Sequence, residues 1–118
     1  MSINLDNVPE EVRKKIINLQ NLQTTVEFLT NQKLQIDSSL RETELAIEEL
    51  EKINQDTPVY KSIGGIFIKS QKDKLLSEKK SLKVTLEMRS KTLKQKEERT
   101  RNQLETMKKS IQADLQNQ

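Results

Sequence analysis

An apolar stripe at heptad spacing is the feature that most constrains the fold of this 118-residue chain. Aliphatic side chains recur every three or four residues along the first half, and Lys33 and Thr43 interrupt them. The aliphatic members are Leu19, Leu22, Val26, Leu29, Ile36, Leu40, Ile47 and Leu50. A narrow stripe sustained over several heptads predicts a long helix that pairs with another helix as a coiled coil.

The composition fits a narrow line of apolar contacts between two helices, here called a seam, rather than a broad core. Hydrophobic residues make up 32% of the chain and aromatic residues 3%, while 33% are charged. A chain of this length suggests one domain. With so little core per residue, a lone chain should be marginally stable, and we expect partner chains to complete it.

A strand-like segment, VYKSIGGIFIKSQ from Val59, interrupts the helical pattern at mid-chain. Its Gly64-Gly65 pair accepts the positive φ values of a two-residue hairpin turn. That turn sets Ile63 opposite Ile66. The sequence therefore predicts a β-hairpin over 59–69, after a first helix over 9–55 that ends ahead of Pro58 because proline disfavours helix at the residue before it.

The second half predicts another helix, over 71–116, with a weaker seam. Ser70 and Asp73 have the spacing of a capping box at its start. We expect the register to shift by about one residue after Thr100, with Arg89 and Lys96 on or near the seam. Its apolar members are Leu75, Leu82, Leu86, Leu93, Leu104, Met107 and Ile111.

Charge favours an antiparallel arrangement, because folding about the glycines sets the acidic stretch 36–52 beside the lysine-rich stretch 72–83. We predict a mainly α fold, a long antiparallel two-helix coiled coil joined by one β-hairpin, as a single domain over 1–118. An isolated hairpin with apolar faces and unpaired edges invites pairing with other chains. We expect it to assemble into an intersubunit β-barrel through Val59, Tyr60, Ile63, Gly64, Gly65, Ile66, Phe67 and Ile68.

Several function classes are disfavoured. The chain has no cysteine and no histidine, lacks a phosphate-binding glycine loop, and has no cluster of metal ligands or nucleophile–base set. We therefore expect no enzyme activity, no cofactor and no metal. No stretch is apolar enough for a signal peptide or a membrane span, which predicts a cytoplasmic protein with no membrane partner.

Two binding functions remain as alternatives. The lysine-rich second helix could track nucleic-acid phosphates, but interspersed acids and a net charge of +3 argue against a nucleic-acid partner. A coiled-coil scaffold or tethering subunit of a larger complex is the other alternative, and it would have one defined partner.

The order helix, VYKSIGGIFIKSQKDKL, helix with an EERTRNQLETMKKSIQ stretch near its end resembles the archaeal beta type of the prefoldin family. The resemblance implies an ATP-independent molecular co-chaperone. It also implies a hexamer of two alpha and four beta subunits, joined by a β-barrel from which the coiled coils project. Such a hexamer binds non-native proteins at the distal coiled-coil tips and delivers them to a group II chaperonin.

The resemblance also points to site residues, since the antiparallel arrangement brings both chain ends to one tip. Ile16 and Ile17 are adjacent, so both cannot face one narrow seam. Lys108 and Lys109 form a basic pair suited to an acidic chaperonin surface, or they are simply solvated. The expected client-binding residues, which could otherwise be ordinary seam, are Val8, Val12, Ile16, Ile17, Leu104, Met107, Ile111 and Leu115.

Overall fold

The computed structural model describes residues 7–117. Helix α1 spans Glu10–Lys52, strands β1 and β2 span Val59–Ile63 and Ile66–Ser70, and helix α2 spans Lys72–Gln116. The predicted fold class, two long helices joined by one hairpin, is confirmed for the single chain. The barrel involves further chains and stays a prediction.

Helix α1 begins directly after Pro9, and the backbone N–H of Arg13 donates to the Pro9 carbonyl over 3.0 Å. Glu10 and Glu11 lie in the first turn, where the helix dipole favours carboxylates. The helix ends at Lys52, earlier than the predicted Gln55. A turn from Asn54 to Thr57 replaces the last predicted helical residues, with a 3.0 Å hydrogen bond between their backbones.

The hairpin has the register that the glycine pair predicts, with Ile63 opposite Ile66. Gly64 and Gly65 have φ values of 54° and 83°. Both values lie in the left-handed region, as a type I′ turn requires. The reversal therefore depends on residues that adopt positive φ readily at these two positions.

The start of α2 differs from its prediction. Ser70 lies in β2, where it pairs with Val59, so the predicted capping box of Ser70 and Asp73 is wrong. The Gln71 carbonyl instead accepts the first helical hydrogen bond, from the N–H of Leu75 at 3.0 Å. The Asp73 carboxylate accepts a hydrogen bond from the side-chain amide of Gln55, outside the helix.

The described residues form two compact units. The hairpin unit comprises Lys33–Thr92 and contains the sheet. The helix-end unit comprises the described residues up to Gln32 and from Leu93 onward. The single-domain interpretation of the whole chain stays a prediction.

In the hairpin unit, the α1 seam follows its predicted positions, including both polar exceptions. Thr43 is buried and its hydroxyl donates to the Ser39 carbonyl over 2.8 Å, which satisfies the side chain within its own helix. Lys33 is half-buried and forms an ion pair with Asp37. Both polar side chains therefore have a partner within α1 itself.

The predicted seam of α2 is wrong at three positions, the first of which is Leu82, with 41% of its surface exposed. Ser90 and Glu97 are half-buried, whereas Arg89 and Lys96 are exposed. The seam thus steps by four residues from Leu86 to Ser90, and it then keeps a regular alternation of three and four with no shift after Thr100. A 2.6 Å hydrogen bond from the Ser90 hydroxyl to Asp37 explains why Ser90 faces α1.

Candidate functional site

An apolar cluster lies in the helix-end unit between the first turns of α1 and the last turns of α2. Val12, Ile16 and Ile111 form its buried centre, with exposed fractions of 4%, 5% and 5%. Partly buried side chains pack against that centre, namely Val8, Leu19, Met107 and Leu115. We call these seven residues the helix-end cluster.

The eight predicted client-binding residues differ in burial. Six of them belong to the helix-end cluster. Leu104, three residues before Met107 in α2, is half-buried. Ile17 is 46% exposed, because its neighbour Ile16 takes the inward-facing position. Ile17 is therefore the exposed member of the eight predicted residues.

A charged contact joins the two helices next to this cluster. The Lys15 ammonium donates to Asp114 Oδ2 over 2.5 Å and to Ser110 Oγ over 2.8 Å. The side chains of Lys15 and Asp114 are 34% and 33% exposed. The pair is thus shielded more than most of the surface ion pairs of this chain.

A groove of about 640 Å³ runs beside the ion pair in the helix-end unit. Leu22 and Met107 supply apolar lining, while Arg99 adds a positive charge. The remaining lining is polar, from Lys15, Asn18, Asn102, Gln103, Thr106 and Ser110. Such a mixed surface can contact both the apolar side chains and the backbone of an extended polypeptide.

The basic residues near the end of α2 have different surroundings. Lys108 and Lys109 are exposed. Arg101 pairs with Glu97 over 3.0 Å within the helix and reaches the Thr30 hydroxyl at 3.4 Å. The two lysines are therefore more available than Arg101 for an acidic partner surface.

The hairpin is the second candidate surface. Its apolar side chains are exposed on both faces of the sheet, at Tyr60, Ile63, Ile66, Phe67 and Ile68. On the face of Tyr60 and Phe67, a groove of about 580 Å³ is also lined by Leu50, Pro58, Val59 and Leu75. Exposed apolar residues on both faces of a short hairpin are typical of an interface rather than a connector.

One ion pair joins the hairpin to α2, and one hydrogen bond joins the two helix ends next to it. Lys61 of β1 pairs with Glu78 of α2 over 3.1 Å. Lys72 donates to the carbonyl of Ile53 over 2.8 Å, at the end of α1. Exposed ion pairs contribute little individually, so their main effect is to orient the hairpin.

The acidic and basic stretches also contact each other, through Lys80 and Glu51 at 3.5 Å. This pair is exposed, so we assign it a small share of the stability. At the end of α1, Glu49 and then Glu48 raise the pKa of Lys52. The acidic stretch therefore pairs with its own Lys52 as well as with α2.

Asp37 is the carboxylate with a depressed pKa in the hairpin unit. The hydrogen bond from Lys33 is the largest cause, and the hydrogen bond from Ser90 is the next. Both favour the ionised form, so the pKa of Asp37 lies below its ordinary value. The residue acts as a structural acceptor between two helices.

Residues 7–117 contain neither a candidate metal site nor a candidate membrane span. Within that range, no group of three or more His, Cys, Asp or Glu side chains could hold a metal ion. No helix in the same range is both long and apolar enough to cross a bilayer.

Lys15, Ser110 and Asp114 are site residues that the sequence patterns did not single out. Each lies among many charged and polar residues, and none has an unusual local motif. The available signal was positional, because Lys15 and Asp114 lie at equal sequence distances from the Gly64-Gly65 turn. Folding the chain about that turn places them opposite each other.

Known proteins resemble this chain over most of its length. The family model described as "Prefoldin subunit" matches residues 13–118. The prefoldin subunit beta of Archaeoglobus fulgidus is 35% identical over 92% of this chain and 93% of its own length. That of Pyrococcus furiosus is 31% identical over 94% and 95%.

A solved structure resembles the chain in three dimensions as well. The crystal structure of the prefoldin beta subunit from Thermococcus strain KS-1 matches with a TM-score of 0.81 and 30% identity. The match covers 91% of this chain and 94% of that one. Sequence and fold thus point to the same relatives.

Proposed function

The chain belongs to the prefoldin subunit family, whose archaeal beta subunits it resembles, and we propose that it acts as the beta subunit of an ATP-independent co-chaperone. In this proposal it binds non-native proteins through the helix-end unit and delivers them to a group II chaperonin. No catalysis and no cofactor are involved, and the protein acts in the cytoplasm.

The observation that carries the client-binding proposal is the helix-end cluster. It gathers apolar side chains from both helices into a small group, with Ile17 exposed beside it. A binder of unrelated non-native chains needs modest and adaptable apolar surface. Met107 adds a flexible side chain at the rim of the cluster.

The exposed hairpin supports assembly with other prefoldin subunits. We propose that it joins an intersubunit β-barrel in a hexamer of two alpha and four beta subunits. Ile63, Ile66 and Ile68 share one face of the sheet and would lie together on one side of that barrel. Several subunits in one assembly would sum weak client contacts into a useful affinity.

Client capture is testable by light scattering of a denatured protein diluted into the assembled complex without ATP. The complex would be formed with an archaeal prefoldin alpha subunit. We expect Ile17→Ser to weaken suppression of aggregation, because it removes exposed apolar surface beside the helix-end cluster. Leu34→Ser, the same aliphatic-to-serine change at an exposed α1 residue of the hairpin unit, is the matched control.

The outcomes separate the alternatives. Loss of suppression with Ile17→Ser and not with Leu34→Ser supports client binding at the helix-end unit. No suppression by the unmodified complex would favour the scaffold or tether alternative. Steep, salt-dependent retention on DNA would instead favour a nucleic-acid partner.

Contact with the chaperonin is proposed for Lys108 and Lys109. Both are exposed, and their charge suits an acidic partner surface. Replacing both by Gln should weaken binding to a group II chaperonin and reduce its salt dependence. Unchanged binding would remove these two residues from the proposed contact.

A further inference from the structure

The helix-end cluster is closed in this structure, although the proposed function requires its apolar surface. Val12, Ile16 and Ile111 are almost completely buried against one another. A client could reach them only when the start of α1 separates from the end of α2. The extent of client capture would then depend on how easily the two helix ends separate.

The contact between Lys15 and Asp114 is placed to resist that separation. It joins α1 to α2 across 99 residues of sequence, and Lys15 precedes Ile16 directly. Asp114 follows Ile111 by one helical turn. The charged contact and the buried centre of the cluster therefore open or close together.

The position of Asp114 is unfavourable within its own helix. Asp114 lies in the last turn of α2, which contains no basic residue. The helix dipole disfavours a carboxylate at a C-terminus. The favourable contact for this carboxylate is therefore Lys15 of the other helix, supported by the Ser110 hydroxyl that shares the same ammonium.

The apolar contacts that oppose opening are few at this end of the two helices. Three side chains are buried, and helix termini open locally at a low free-energy cost. Against so small a cluster, one partly shielded ion pair with two hydrogen bonds is a substantial fraction of the closing free energy. The same pair in a large core would change little.

We propose that the Lys15–Asp114 ion pair holds the helix-end cluster closed and thereby sets how much apolar surface is offered to non-native proteins. The inference rests on the proposed function for its consequence, client capture, but not for its geometry. Breaking the pair shifts the cluster toward an open state that binds clients. Capture should strengthen in proportion to the open fraction.

Hydrogen exchange of the full-length chain measures the opening directly. In Lys15→Gln and Asp114→Asn, amides over 12–19 and 107–115 should exchange about threefold to tenfold faster than in the unmodified chain. Amides of the hairpin should keep their rates. Lys14→Gln removes the same charge at an exposed neighbouring position and should leave all rates unchanged.

A charge swap separates the ion pair from general loss of stability. Lys15→Asp combined with Asp114→Lys restores opposite charges across the helices, and it places a lysine in the last turn of α2, where the helix dipole favours a cation. Exchange should return to the unmodified rate or below it. A swapped chain that exchanges as fast as the single variants would overturn the proposal.

Client capture is then measured with denatured lysozyme on the assembled complexes. The single variants should suppress aggregation at about threefold to tenfold lower concentration, in step with their exchange rates. Faster exchange with unchanged or weaker capture would overturn the inference and leave the proposed function standing. Failure of every complex, including the unmodified one, would overturn the proposed function, and exchange alone would then decide whether the ion pair closes the cluster.

Discussion

Ser90 of α2 donates a hydrogen bond over 2.6 Å to Asp37 of α1, which places the two helices in register within the hairpin unit. Asp37 uses its other carboxylate oxygen to accept from Lys33, also at 2.6 Å. One side chain is thereby fixed by its own helix and by the opposite one. A seam of aliphatic residues alone specifies register less sharply than such a polar contact.

Removal of the Ser90 hydroxyl should therefore destabilise the hairpin unit. We expect Ser90→Ala to lower the free energy of unfolding by about 1 kcal/mol, because a hydrogen bond to a charged acceptor is lost at a half-buried position. Urea denaturation followed by circular dichroism measures the change. Ser77→Ala, at an exposed serine of the same helix, is the control, and an equal loss in both variants would contradict the assigned role.

The lowered pKa of Asp37 makes stability dependent on pH in the acid range. The unfolded chain binds a proton near the ordinary pKa of 3.8, while the folded chain does so only at lower pH. The contribution of Asp37 is thus complete above pH 3.8 and is lost as pH falls through the folded pKa. Asp37→Asn should flatten the dependence of the unfolding free energy on pH in this range, and Ser90→Ala should flatten it partly. An unchanged slope in Asp37→Asn would contradict the assignment of this pH dependence to Asp37.

Gly65 has φ of 83°, and a Cβ added there would meet no atom within 4 Å. The cost of a side chain is therefore conformational rather than steric. We expect Gly65→Ala to lower the free energy of unfolding by about 1–2 kcal/mol, as measured by urea denaturation. Gly65→Asn should cost less, because asparagine tolerates the left-handed region, and equal costs for both changes would contradict this explanation.

The hairpin register could be predicted because it depends on a local feature. The Gly64-Gly65 turn alone determines which strand residues face each other, and proline ahead of β1 limits α1. The end of α1 and the start of α2 were less predictable. They depend on contacts between segments, such as the amide of Gln55 with Asp73 and the ammonium of Lys72 with the Ile53 carbonyl.

The α2 seam and the helix-end cluster show the same difference between features set by local sequence and features set by contacts between segments. Heptad spacing from Leu86 allows a step of three and so predicts Arg89 in the seam, whereas the observed step of four follows from the partner Asp37 on α1. Adjacency of Ile16 and Ile17 predicted that one would face outward. Which one does so depends on where α2 lies, and that is a tertiary contact.

The exposed sheet residues should control assembly rather than the stability of a single chain. Ile66→Ser with Ile68→Ser should reduce hexamer formation with an archaeal alpha subunit, because both residues share an exposed apolar face. Helix content of the isolated chain should be retained. Native mass spectrometry and circular dichroism give the two readouts, and full assembly of this variant would exclude this face from the interface.

Ile111 and Ile17 provide a direct comparison of buried and exposed residues in the helix-end unit. Ile111 is 5% exposed inside the helix-end cluster, whereas Ile17 is 46% exposed. Truncation of a buried isoleucine to alanine typically costs about 2–5 kcal/mol, and we expect the low end of this range because the cluster is small.

Truncation of a surface side chain usually changes the free energy of unfolding by less than about 0.5 kcal/mol. Ile17→Ala should therefore leave hydrogen exchange of the amides over 107–115 unchanged, while Ile111→Ala should accelerate it strongly.

Client capture should change in opposite directions in these two variants. Ile17→Ala removes accessible apolar surface and should weaken capture, while Ile111→Ala exposes the remaining cluster residues and should strengthen it. Weaker capture in both variants would mean that the buried centre itself contacts clients mainly through Ile111.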